Sequence, residues 1–375
     1  MHAFLDHACL RYQGHDAPER RSQAGAWLAA SPWLGRSTLW GAAATADVVA
    51  VQKHLDADVD PNGPGPDGWA PLLHLCFGRV LCRDADAVGV LVALLDAGAD
   101  PRAHFVAWGS PFTGLTGAIG EGERGVDALP PHPEADALVD VLLAGGADPN
   151  DSQALYNTML RPTTHWLRRL LAAGLDAQQP LRWPMPGGPS TLDFLLAHAA
   201  GTGDLERLEL LLEHGADAAC IDPYSGRTAL TLARLEGRGD VVRRLRAAGA
   251  QDEVLASADT LRAALAKGDW EVALEAEIDT ADLGGLVRWA AGSHRVEALR
   301  WLLARGAPVD AAGDDGVRAL HLAVSHDDPV VLELLVEQGA CLDAVEHRFG
   351  ATPLGWARHQ RRGRAVAFLE AREKR

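Results

Sequence analysis

His74 can do acid–base work, because an imidazole titrates close to neutral pH. Tyr156 and Asp193 stand at equivalent places two and three repeats further along the chain. The three side chains are therefore candidates to line one pocket, with His104 and Trp108 in the turn region above it. Such a pocket would hold a small molecule, or convert it as an unusual enzyme. No recognised catalytic signature accompanies these residues. The sequence has no Gly-x-Ser-x-Gly elbow, no phosphate loop ending in Gly-Lys-Ser/Thr and no His-Glu-x-x-His helix. Gly120 to Gly125 is rich in glycine but follows no strand pattern, so it reads as an insert and not as a nucleotide cradle.

Any such site needs elements to hold it, and these repeat. A Leu-rich run ending in Gly-Ala-Asp occurs at Leu94 to Asp100, Leu142 to Asp148 and Leu210 to Asp217. Worn copies end at Asp176, Ala250, Ala307 and Ala340. A second signature precedes several of them: Asp67-Gly68-Trp69-Ala70-Pro71-Leu72, Gly226-Arg227-Thr228-Ala229-Leu230, Ala319-Leu320-His321-Leu322-Ala323 and Thr352-Pro353-Leu354. Thr at a helix start caps free N–H groups, Pro in the first turn sacrifices no helical bond, and Gly closes a helix in a left-handed conformation. The pattern predicts two short helices per unit, each burying an apolar edge against its neighbours.

In these two signatures the sequence resembles the ankyrin-repeat family, whose unit is about 33 residues long. Gly215 and Gly249 are 34 apart, and Gly306 and Gly339 are 33 apart. The resemblance covers roughly residues 35 to 371 and implies an all-α solenoid of about ten helix-turn-helix units. These trace to 37–60, 69–100, 110–148, 153–176, 190–217, 226–249, 259–279, 283–308, 316–341 and 350–371, the unit at 259–279 being the weakest. It also implies a partner on the concave side formed by turns and first helices. That pattern selects Trp40, His74, Phe77, Arg79, Tyr156, Asn157, Asp193 and Phe194, and in later units Trp289, His321, His326, Trp356 and His359. Histidines at the family's helix start are ordinarily structural, which is how His321 is read.

Departures from the period mark insertions at Phe77 to Asp86, Gly117 to Pro133 and Gln178 to Pro189. Insertions in a solenoid map to loops, often beside a working face. The last one carries Trp183 among prolines, a candidate partner contact. Residues 1–36 precede the array and suggest two helices covering its exposed end, as in bacterial members with a non-repeat start. The array, residues 37–371, is expected to be one elongated domain that folds as a monomer.

A formal charge of −16, from 35 basic and 51 acidic residues, disfavours nucleic acid and tolerates a basic protein. An immunity or inhibitory role against a basic target is one form this could take. No apolar stretch is long enough to span a membrane, and the start lacks a secretory pattern. Five scattered cysteines fit reduced thiols in a cytoplasm, and neither a metal nor a cofactor is expected. The leading expectation is a non-catalytic scaffold that binds another protein. The alternative is a small-molecule-binding protein or atypical enzyme with its pocket in the first half of the array.

Overall fold

The computed structural model describes the chain apart from residues 13–15, 124, 181–187, 277, 279 and 374–375. The fold is built almost wholly from short α-helices. They divide into two compact units, Met1–Ala200 with Asp204–Ala229, and Gly201–Gly203 with Leu230–Arg375.

In the first unit, α1 (His2–Ala8) and α2 (Pro18–Ala30) precede α3 (Leu39–Ala44), α4 (Val48–Leu55), α5 (Pro71–Phe77) and α6 (Ala87–Asp96). A hairpin of β1 (His104–Ala107) and β2 (Ser110–Thr113) leads into α7 (Gly114–Ile119). Then come α8 (Gly125–Ala128), α9 (Ala135–Ala144), α10 (Ser152–Met159), α11 (His165–Ala172), α12 (Thr191–Thr202) and α13 (Leu205–Glu213). After α14 (Ala229–Leu235), the second unit holds α15 (Gly239–Ala247), α16 (Ser257–Lys267), α17 (Trp270–Glu275), α18 (Thr280–Gly292) and α19 (Val296–Ala304). It ends with α20 (Ala319–Ala323), α21 (Pro329–Glu337), α22 (Pro353–His359) and α23 (Gly363–Glu373).

Consecutive helices pair, as in α3 with α4, α5 with α6, α18 with α19 and α22 with α23. First helices then stack on first helices (α3 on α5, α5 on α7, α7 on α10) and second helices on second helices (α4 on α6, α6 on α9). The second unit repeats this with α16, α18, α20 and α22, and with α19, α21 and α23. Each layer buries a narrow apolar edge: Val90, Leu91 and Leu94 of α6 are fully buried, each contributing about 2 kcal/mol of transfer free energy. The stretch with the most worn signature, 259–279, still forms the pair α16 and α17.

Helix starts are capped as their sequences suggest. Asp47, Asp86, Asp151, Asp204 and Thr352 accept backbone N–H groups of the first turn. At the other end of the repeat, Gly98 adopts φ 92°, which releases the chain from α6. The recurring aspartates are turn-formers. Asp60, Asp100, Asp148 and Asp217 each accept the amide two residues on. Neighbouring turns are then tied together, with Asn62 Oδ1 accepting from Asp100 N at 2.7 Å and Asn150 Oδ1 from Asp176 N at 2.8 Å.

Among the described residues, the hairpin is the one sheet, and an all-helical reading does not contain it. Phe105 pairs with Phe112, and the two-residue turn is made by Trp108 and Gly109, both at positive φ. Phe105 stacks between Trp69 (4.3 Å between centroids) and Phe112 (5.2 Å). The hairpin therefore extends the apolar layer of the helices beneath it.

Of the segment 117–133, the first three residues belong to α7. There the backbone of Gly117 is pressed against Phe77, and a Cβ would lie 2.4 Å from its Cδ2. Phe77 is fully buried and flanked by Tyr12, Trp69 and Phe105, so it cannot swing aside. Gly117→Ala is expected to destabilise the first unit by about 1–3 kcal/mol through overpacking, despite alanine's better helix propensity. A urea titration followed by circular dichroism would show the midpoint fall; an unchanged or raised midpoint would contradict the packing described.

Candidate functional site

His74, the fourth residue of α5, is fully buried and has both ring nitrogens engaged. Its Nε2 lies 3.1 Å from Asp67 Oδ2 and its Nδ1 3.2 Å from the carbonyl of Ala70. Asp67 also receives Arg11 Nη1 at 2.7 Å, and the Arg11 guanidinium lies 4.1 Å from the Trp69 ring centroid. Burial works against the Asp67 carboxylate, but the His74 hydrogen bond and the charges of His74 and Arg11 outweigh it. Together they hold its pKa well below the usual carboxylate range.

Arg11 comes from a segment that runs across the face made by α5, α7 and α10. Leu10 N donates to Phe77 O at 2.9 Å, and Arg79 N donates to Ala8 O at 2.8 Å. Tyr12 packs on Phe77 and Phe112 and receives Asn157 Nδ2 on its hydroxyl at 3.2 Å. Burial first, with Asp16, Glu121 and Asp151 adding to it, pushes the Tyr12 phenol far up, so it stays neutral. The residues before the array thus do more than cover α3. Leu10, Arg11 and Tyr12 meet Phe77, Asp67 and Asn157 respectively, the last two being close to residues expected to line a pocket around His74.

Several residues expected to bind a partner are used internally. Phe77 is fully buried. Arg79 donates to the carbonyls of Cys76, Gly78, Gly117 and Pro130 at 2.6–2.9 Å, holding the 117–133 insertion onto α5. Burial lowers its pKa to about 10. Asn157 bonds Gln153, Gly120 and Tyr12. Trp40 donates its indole N–H to Gly63 O at 2.9 Å. Asp193 accepts Asp217 N at 2.7 Å and serves the turn-to-turn ladder. In the second unit, His321 bonds Ala351 O and His326 bonds Gly292 O, and Trp289 bonds Glu236. His321 was read as structural from its place at a helix start; for the others, a long-range polar bond has no local periodicity, so sequence spacing does not mark them as internal.

The turn side keeps other candidates outside. His104 is exposed on β1, and Trp108 at the hairpin tip keeps 65% of its surface in solvent. Tyr156 on α10 is half-buried and donates its hydroxyl to Glu123 Oε1 at 2.6 Å. Phe194 on α12 is buried and meets Tyr224 edge-on at 6.1 Å. Tyr224, on the turn before α14, is 63% exposed. Sequence reasoning passed over it, although the preceding Asp222-Pro223 marks a turn that would present it. Trp183, the aromatic of the third insertion, lies outside the described residues.

His74, Tyr156 and Asp193 thus have different hydrogen-bonding partners. A cleft of about 480 Å³ lies instead beside α2, lined among others by Leu28, Arg36, Leu81 and Cys82, and none of the three borders it. Among the described residues, no group of three or more His, Cys, Asp or Glu side chains is placed to hold a metal ion. No described helix is long and apolar enough to cross a membrane.

Two stretches, residues 196–246 and 287–336, match the family described as ankyrin repeats (many copies). The chain is similar to Protein PhlB of Serratia liquefaciens, with 34% identity over 137 residues, covering 36% of this chain and 50% of that protein. It is also similar to an L-asparaginase of Dirofilaria immitis, with 30% identity over 181 residues, covering 44% of this chain and 29% of that protein. The chain therefore spans half or less of the relatives it matches.

Proposed function

We propose that this chain is an ankyrin-repeat scaffold of about ten helix pairs that binds a protein partner with a basic surface. The contact surface is the turn side of the first unit, centred on Trp108, Tyr156 and Tyr224. One observation carries the reading. Trp108 sits at φ 48°, a conformation that glycine and asparagine adopt easily and a bulky residue does not. Its ring meets Phe112 edge-on at 6.1 Å but stays mostly in solvent, and a large exposed aromatic is a common interface anchor. Most of the formal negative charge also falls before residue 230, in the unit that carries these aromatics. All five cysteines are unpaired, which supports a reducing compartment, the cytoplasm. The share of the L-asparaginase that aligns is too small to carry that protein's named activity across.

The test uses the full chain as bait in native extract, followed by mass analysis of what it retains. Trp108→Asn suits the turn better than the native residue and should leave the fold intact or firmer. It is expected to lower retention of the partner about tenfold, as is Tyr224→Ala. Full retention by both variants would overturn the proposed surface.

A further inference from the structure

We infer that the outer edge of β1 takes an extended segment of the protein partner as a third strand; this rests on the scaffold reading above and specifies how the partner docks. The turn after β1 has Trp108 and Gly109 at φ 48° and 78°, so it is a two-residue turn closed by Ala107 and Ser110. Opposite residues in an antiparallel pair alternate between exchanging both backbone bonds and exchanging none. The closing pair exchanges them, and so does Phe105 with Phe112 two steps on. His104 and Val106 therefore aim their N–H and C=O groups away from β2. Pro111, opposite Val106, fits that register, because its position needs no N–H. Among the described residues, none bonds the outward backbone groups of His104 or Val106, and no further strand joins the sheet. The other edge is closed: β2 offers Pro111 there, and Ser110 and Phe112 are buried. Proteins usually guard an open edge with lysine, proline or a bulge, and β1 has none of these. A free row of donors and acceptors takes an extended backbone. Val106, 67% exposed, and His104 lie on the same side of the strand, where every second side chain of the segment would pack. A formal charge of −16 works against a second copy of this chain as the occupant and favours a segment carrying lysine or arginine.

Amide hydrogen exchange of the full chain, resolved to single residues by fragmentation mass spectrometry, tests this. In the free chain, Phe105 and Ala107 are expected to exchange slowly and His104 and Val106 fast. The probe is acetyl-Thr-Lys-Val-Thr-Val-Lys-Thr-amide, set against the same peptide N-methylated at its three central residues. At about ten times its Kd, the probe should slow exchange at His104 and Val106 about tenfold and leave Phe105 and Ala107 nearly unchanged. The N-methylated peptide keeps the side chains but lacks the donors, and should have no effect. It asks the question without altering the protein. Val106→Pro removes one outward donor and should weaken binding about fivefold, whereas Val106→Thr should keep it within about twofold. No slowing at millimolar probe, equal slowing with the N-methylated peptide, or protection of His104 and Val106 that grows with protein concentration alone would each overturn the docking edge. In the extract experiment, full partner retention by Val106→Pro with loss by Trp108→Asn removes the edge but leaves the scaffold standing. Slowing by the probe with no partner captured keeps the edge and removes the scaffold reading.

Discussion

Replacing Asp67 with alanine is expected to cost the first unit about 3–5 kcal/mol, because it leaves Arg11 and His74 buried without their shared carboxylate. All three side chains are nearly inaccessible, so water cannot take over the lost bonds. Asp67→Asn, which keeps an acceptor but not the charge, should recover only part of the loss. The pH dependence has a definite sign. A carboxylate whose pKa is lowered on folding stabilises the native state above its unfolded value, near 4, and loses that contribution as pH falls through the folded value. The stability gap between the native protein and Asp67→Ala should thus persist at pH 5 and shrink only below about pH 4. Urea unfolding at a series of pH values measures this. A gap below about 1 kcal/mol at neutral pH would show that the network is not the anchor described.

Arg207→Leu is expected to cost about 3 kcal/mol or more in the same assay. Arg207 is fully buried on α13, where its Nε meets Asp204 Oδ2 at 3.0 Å. Its Nη2 donates to the carbonyls of Thr158, Arg161 and Thr163 at 3.0, 2.6 and 2.6 Å. Those carbonyls lie in the last turn of α10 and in the stretch that leads into α11, and leucine would leave them without this donor. Lysine should rescue little, since one ammonium cannot reproduce a planar fork that meets the carboxylate on one arm and the carbonyls on the other. Full rescue by lysine would mean that charge alone, not geometry, matters at this site.

Arg79, Arg207 and the Asp67 network mark the limit of what spacing reveals. Helix pairs were legible because Gly98, Gly146 and Gly215 recur with leucines at helical intervals, and the structure ends α6, α9 and α13 just before them. The turn role of Asp60, Asp100, Asp148 and Asp217 was legible for the same reason: periodic sequence reports periodic structure. The hairpin was not, because His104 to Thr113 is too short for alternation to stand out beside turn residues such as Gly109 and Pro111. Arg79 was expected to meet a partner and Arg207 was not singled out, since most of their bonds go to backbone carbonyls, which have no residue type. Among the candidate binding residues, Tyr156 was legible from its place on a first helix. Tyr224 was missed because it lies on a turn, outside the helical frame used to pick the others.

Repeat arrays usually assemble from near neighbours, so their contacts are short in sequence. The segment holding Tyr12 breaks that habit: its bond from Asn157 spans 145 positions, and Arg21 reaches Ala128 across 107. Closing loops of that length costs entropy and raises contact order, which slows the final step of folding. On the ribosome, residues 9–12 would be made long before α10 exists to receive them. Until then Leu10 and Tyr12 remain uncovered, and a chaperone would find its grip there.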